Sequence, residues 1–148
     1  MNTKINNIQE RALRLVYDDY NTSFENLLHK DKSVTIHQRN IRKVAIEMFK
    51  VKNDLCPEFM HELFDVISCQ RRSKATFHRP NVNQVYKGEC TLRSFGPIVW
   101  DTMVPENLRN ITDLKKFKTE INAWVPKDCK CRLCKEYVQH LGFITTFE

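Results

Sequence analysis

Residues 35–50, Thr35-Ile36-His37-Gln38-Arg39-Asn40-Ile41-Arg42-Lys43-Val44-Ala45-Ile46-Glu47-Met48-Phe49-Lys50, decide the fold. Thr35 with Gln38 three residues on forms a capping box, in which each side chain satisfies a backbone N–H at the helix start. Behind it Ile41, Val44, Ala45, Met48 and Phe49 recur at helical spacing on one face. No Gly or Pro interrupts the pattern, so it predicts a helix running to about Asn53, the longest in the chain. His37 falls on the apolar face and reads as a core histidine bonded to a carbonyl or carboxylate. On the opposite face Arg39, Lys43 and Lys50 line up, which would suit phosphates. Glu47 lies within one turn of both lysines, so a solvated, partly neutralised face is the reading adopted.

Working outward, Ile5, Ile8, Ala12, Leu15 and Val16 predict an N-terminal helix with that stripe inward. Arg11 and Arg14 stand off it, and Asp18-Asp19-Tyr20-Asn21 reads as the stop. Thr22 and Glu25 suggest a second capping box, opening a short helix through Leu27 and Leu28. Pro57 suits the first turn of a further helix, with Phe59, Met60, Leu63, Phe64 and Ile67 inward. Beyond Ser68 periodicity stops. Residues 68–81 read as a basic loop or arm. Val82, Gln84 and Tyr86, the turn signal Lys87-Gly88 and the run Cys90 to Leu92 predict a small hairpin. A short helix around Ile98–Met103 follows Gly96-Pro97. Thr112 is read as the cap of the last helix, where Leu114, Phe117, Ile121 and Trp124 point inward and Pro126 ends the pattern. The fold class expected is mainly α, a small helical domain with a minor β-hairpin and a Cys-rich C-terminal tail. Its parts would be a helical subdomain (1–67), a basic loop with hairpin and helices (68–125) and the tail (126–148), with 68–148 packing on 1–67 as one domain.

The chain has 148 residues, the size of one domain, and would bury roughly 70% of the surface its unfolded form exposes. Its three glycines cannot be arranged as either common phosphate-cradling loop. No apolar run approaches the ~20 residues of a membrane helix. The first twenty residues mix charge signs without a compact apolar core, so no secretory signal is expected. The expectation is a soluble intracellular chain, nuclear or cytoplasmic, with no membrane partner. Residues 1–67 hold ten basic and ten acidic side chains, whereas 68–148 hold fourteen basic and eight acidic and carry the whole net charge of +6. A basic half points to a polyanion such as RNA or DNA, against the alternative of a solubilising surface. The sharpest stretch contains Arg71, Arg72, Lys74, Arg79, Lys87 and Arg93 against Glu89 alone. Phe77 lies among these arginines, and a ring beside guanidiniums is what a single strand needs to stack its bases. The same ring could equally be a core anchor.

Six cysteines in an unsecreted chain read as thiols or metal ligands rather than a disulfide frame. Cys129, Cys131 and Cys134 have the spacing to turn around one zinc ion, with Lys130, Arg132 and Lys135 offsetting the thiolate charge. The fourth ligand is open: His140 if the tail is irregular, or Cys56, Cys69, Cys90, His61 or His78 from a distance. Three free thiols are the alternative. Trp100, Phe117, Ile121 and Trp124 read as core. No nucleophile constellation stands out: the serines are few and have no His at readable spacing, and the carboxylates read mainly as surface-helix charges, so no enzyme is expected.

The ordered set of short motifs resembles the region after the polymerase core in non-LTR retrotransposon reverse transcriptases of the jockey-like or LINE type. It comprises Ile36-His37-Gln38-Arg39-Asn40, Glu47-Met48-Phe49-Lys50, Arg79-Pro80-x-Val82-Asn83, Leu92-Arg93-x-x-Gly96-Pro97 with Trp100, and Leu114-x-x-Phe117-Lys118. The tail Cys129-x-Cys131-Arg132-Leu133-Cys134 with Gly142-Phe143-Ile144 completes it. The resemblance implies a segment that helps hold template RNA or target DNA, alongside the polymerase portion of a full-length element. Val16-Tyr17-Asp18-Asp19 departs from the catalytic box of such enzymes: it lacks the first aromatic residue, and no flanking apolar strands surround it. The expectation is therefore a non-catalytic segment, an isolated or decayed fragment. Its candidate nucleic-acid contacts are Arg71, Arg72, Lys74, Phe77, Arg79, Lys87, Arg93 and Arg132. The rival is a structural or protein-interaction domain with a zinc-stabilised tail.

Overall fold

The computed structural model describes residues 2–64, 66–67, 76–78 and 91–126. The expected hairpin over 82–90 and the Cys-rich tail lie outside the described residues. The described chain is helical: α1 (Asn2–Tyr17), α2 (Phe24–Lys30), α3 (Ile36–Lys52), α4 (Glu58–Leu63), α5 (Leu92–Ile98), a π-helical turn (Val99–Met103), α6 (Glu106–Arg109) and α7 (Leu114–Ala123). It forms two compact units that divide within α3, between residues 39 and 40.

In the first unit α1 and α2 enclose a small core of Leu13, Leu27 and Leu28, with Tyr17 and Phe24 packed against it. The expected inward stripe of α1 is instead its outer face: Ile8, Leu15 and Val16 are 66%, 70% and 73% exposed. The face turned inward carries Gln9, Leu13 and Tyr17, and the polar members explain the choice. Gln9 Nε2 donates to Val34 O at 3.0 Å, and its Oε1 accepts from Ile36 N at 3.1 Å, clamping the approach to α3. Tyr17 Oη donates to Asp31 Oδ1 at 2.9 Å. Gln9 and Tyr17 are half-buried, and their long-range hydrogen bonds accompany a face that overrides the apolar count.

The α3 capping box forms as its sequence predicts: Gln38 N donates to Thr35 Oγ1 at 3.2 Å, and Thr35 N to Gln38 Oε1 at 3.1 Å. Two other caps sit one residue later than expected. Ser23 caps α2, accepting from Asn26 N, because Thr22 is held by Asp19 through its hydroxyl (2.7 Å) and its N–H (3.0 Å). Asp113 caps α7, accepting from Lys116 N at 2.7 Å. Three helices end alike. Asp18, Lys32 and Asp54 adopt φ of 47°, 52° and 54°. Each next N–H, of Asp19, Ser33 and Leu55, bonds back to Arg14 O, Leu28 O and Lys50 O respectively. These are Schellman closures, which favour glycine at the left-handed position. A chain with three glycines fills these positions with Asp and Lys, at about 1 kcal/mol each.

In the second unit Ile41, Ala45, Met48, Phe49 and Val51 of α3 are buried, as are Phe117 and Ile121 of α7. An aromatic chain runs through it. Phe49 stacks on Phe117 with centroids 4.3 Å apart and touches Trp100 at 6.4 Å. Trp100 meets Phe77 edge-on at 6.3 Å, and Phe77 meets Phe64 at 6.0 Å. Such contacts add about 0.5–1.5 kcal/mol each beyond area burial. Trp124 is half-buried, and its carbonyl accepts from Arg42 Nε at 2.7 Å, tying the end of α7 to α3. On α4 the inward assignment holds for Phe64, but Phe59 and Leu63 are 60% and 39% exposed. Gly96-Pro97 does not precede a helix but lies inside one. Leu92, expected on a strand, begins α5. Pro97 offers no N–H to the carbonyl four residues back, and the wider π turn that follows absorbs the disruption. Gly96 lets Met48 pack closely, since a Cβ there would stand 2.5 Å from Met48 Sδ and the methionine side chain would have to shift.

Candidate nucleic-acid interface

Val66 pairs antiparallel with Phe77, and Ile67 N donates to Thr76 O at 2.9 Å. The chain thus leaves at Ile67 and returns at Thr76 beside its point of departure. The eight residues between them, 68–75, carry Arg71, Arg72 and Lys74 and no carboxylate. This pairing gave no sequence signal, because a single bridge has no alternation to read.

The paired residues are anchored by the π turn. Asp101 Oδ1 accepts from Thr76 N at 2.8 Å, and Oδ2 from Phe77 N at 3.4 Å. Trp100 Nε1 donates to Thr76 Oγ1 at 3.2 Å. The Asp101 side chain is 11% exposed, and Arg109 Nη1 stands 3.8 Å from Oδ1, supplying the opposite charge a shielded carboxylate needs. Lys52 completes the floor: its Nζ donates to Arg109 O at 2.7 Å and lies 5.6 Å from the Trp100 ring centroid. Burial, then the nearby Arg109 charge, hold the Lys52 ammonium below the usual lysine range. Neither Asp101 nor Lys52 stood out in the sequence. An isolated carboxylate in a helical stretch looks like any surface charge.

Of the expected contacts, Arg93 lies exposed on the first turn of α5. Phe77 is corrected: at 1% exposure between Phe64 and Trp100 it is a core anchor and offers no face to a base. Arg71, Arg72, Lys74, Arg79, Lys87 and Arg132 lie outside the described residues. Arg39 and Lys43 are exposed, while Lys50 pairs with Glu47 at 2.8 Å, the neutralisation that the spacing suggested. Asp18 and Asp19 form the end of α1. Asp19 accepts from the Thr22 hydroxyl and from the Thr22 and Asn21 N–H groups, and these bonds hold its carboxyl below the usual range. His37 is half-buried.

Cys129, Cys131, Cys134 and His140 lie outside the described residues, and among the described residues no three metal-binding side chains converge. Two of the distant candidate ligands do meet. Cys56 Sγ lies 3.3 Å from His61 Nε2, and His61 Nδ1 lies 3.8 Å from Asp54 Oδ1. Burial, then the Asp54 and Glu47 charges, push the Cys56 thiol above its ordinary range. Among the described residues no helix is long and apolar enough to cross a membrane. No family model, curated protein or solved structure matches this chain.

Proposed function

We propose that this chain is a non-catalytic nucleic-acid-binding segment, resembling the C-terminal region of a retrotransposon reverse transcriptase and acting inside the cell. It would grip RNA or DNA mainly through phosphates. The observation that carries the reading is the pairing of Ile67 with Thr76, the two residues that flank the sequence stretch holding Arg71, Arg72 and Lys74. A cationic loop tied at its foot loses less freedom on meeting a polyanion than a free arm does, so more of its electrostatic attraction remains as affinity. Arg93 on α5, together with Arg79, Lys87 and Arg132, would add further phosphate contacts. Recognition is weakly sequence-selective, since phosphate contacts position a strand without reading bases. In this reading Cys129, Cys131 and Cys134, with His140, hold zinc, and the polymerase portion of a full-length element is the protein partner.

The rival, a structural or protein-interaction domain, draws on one observation: the exposed apolar stripe Ile8, Leu15 and Val16 on α1. Titrating a labelled mixed-sequence single strand with the chain separates the two. Saturable, salt-sensitive binding supports the proposal. No binding at ~50 mM salt supports the rival.

A further inference from the structure

The proposed grip on nucleic acid makes no use of the meeting of Cys56 with His61. The end of α3 turns sharply through Asp54, at φ 54°, with Leu55 N bonded to Lys50 O at 2.8 Å. Pro57 then starts α4, and Met60 N donates to Pro57 O at 2.9 Å. That first turn brings His61, five residues on, back over the Cys56 sulfur. Both side chains reach solvent: Cys56 is partly exposed, and the His61 side chain is 34% exposed.

We propose that Cys56 Sγ and His61 Nε2 together bind one borderline divalent cation, of which zinc is the natural example, with solvent completing its shell. A tetrahedral ion with Zn–S ~2.3 Å and Zn–N ~2.0–2.1 Å holds sulfur and nitrogen roughly 3.5 Å apart. The observed 3.3 Å is within a small side-chain adjustment of that spacing. Asp54 Oδ1 stands 3.8 Å from the opposite ring nitrogen, beyond hydrogen-bond length, and adds negative charge near the site, while the Nε2 lone pair is open to the metal in the neutral Nδ1–H tautomer. On binding, the thiol proton leaves to solvent and the thiolate donates an electron pair, while the imidazole stays neutral. The Asp54 and Glu47 charges beside the sulfur favour the cation that replaces that proton.

The test uses the full chain with Cys129, Cys131 and Cys134 changed to Ser, titrated with cobalt(II) under reducing conditions. One equivalent should bind with thiolate-to-cobalt charge-transfer absorption, and zinc should displace it. Cys56→Ser should abolish that absorption, and His61→Asn should weaken binding at least tenfold. Asp54→Asn, which removes only a nearby exposed charge, should weaken it less than His61→Asn does, while the absorption persists. Circular dichroism should show each variant folded, as these side chains lie at the surface. The proposal is overturned if no charge-transfer band appears at millimolar cobalt, if the band survives Cys56→Ser, or if His61→Asn binds like its parent. Nucleic-acid binding, measured on Cys56→Ser and His61→Asn made singly in the chain with its tail cysteines intact, should not change, so the two readings fail independently.

Discussion

Changing Asp101 to Asn tests the anchoring of the basic loop without touching any cation in it. The carboxylate accepts from Thr76 N at 2.8 Å and Phe77 N at 3.4 Å, and it balances Arg109. A hydrogen bond to a charged acceptor is worth about 1.5–3 kcal/mol, with the longer contact at the low end. Asparagine keeps one acceptor oxygen but turns an N–H₂ toward the other donor, and it leaves Arg109 without its counter-charge. The expected loss is about 2–3 kcal/mol. Asp101→Ala, which orphans both N–H groups, should cost about 3–5 kcal/mol. Urea unfolding should show a lower midpoint at unchanged m-value. Amide exchange should accelerate at Ile67, Thr76 and Phe77 before the α3 core opens. Nucleic-acid affinity should fall with its salt slope retained, because the cations remain and only their tether loosens. A stability within 0.5 kcal/mol of the parent, with unchanged exchange at those three residues, would refute the anchor.

Phe77→Ala should cost about 3–5 kcal/mol of stability, the toll of a vacated aromatic core position, whereas Phe77→Leu should fold and bind nucleic acid as the parent does; lower affinity for folded Phe77→Leu would return the ring to the interface. Gly96→Ala should destabilise by about 1–2 kcal/mol, the overpacking against Met48 exceeding the gain in helix propensity. Met48→Ala in the same chain should remove that clash, seen as a coupling energy in a double-mutant cycle by urea unfolding. Lys32→Gly should stabilise the chain by about 1 kcal/mol, by relieving the left-handed backbone at the end of α2. The depressed Asp19 carboxyl gives stability that is present above its unfolded value near ~3.9 and is lost as pH falls through its lower folded value. Thr22→Val removes the main cause, so carbon-detected NMR should show the Asp19 titration moving up and the acid loss of α1 helicity becoming shallower.

The helical architecture was legible wherever a local device and a periodic face agreed. Thr35 and Gln38 fix the start of α3, and Ile41, Ala45, Met48 and Phe49 are buried as their spacing demands. α1 shows how that logic fails. Its apolar stripe outnumbers its inner face, yet Gln9 and Tyr17 turn inward because Val34, Ile36 and Asp31 offer partners that sequence distance hides. Gly96-Pro97 looked like a boundary because both residues break helices in isolation. Here Met48 packs into the space the glycine leaves, and a π turn follows the proline. The charge of the loop was plain from composition, but its closure was not. A single bridge and an Asp101 twenty-five residues away leave no pattern in the sequence. Phe77, poised between base-stacking and core, could be settled only by its neighbours Phe64 and Trp100.

The most direct measurement is the salt dependence of single-strand binding for the parent and for Arg71→Ala/Arg72→Ala/Lys74→Ala. For single strands, log K falls against log salt with a slope of about −0.7 per phosphate neutralised. Engagement of all three cations therefore predicts that the triple variant flattens the slope by about 2 units and weakens all sequences alike. Lys43→Glu, on the exposed outer face of α3, should change it far less. A triple variant that binds as tightly as the parent at ~0.1 M salt, with the same slope, would contradict the account and leave the loop a solvated surface.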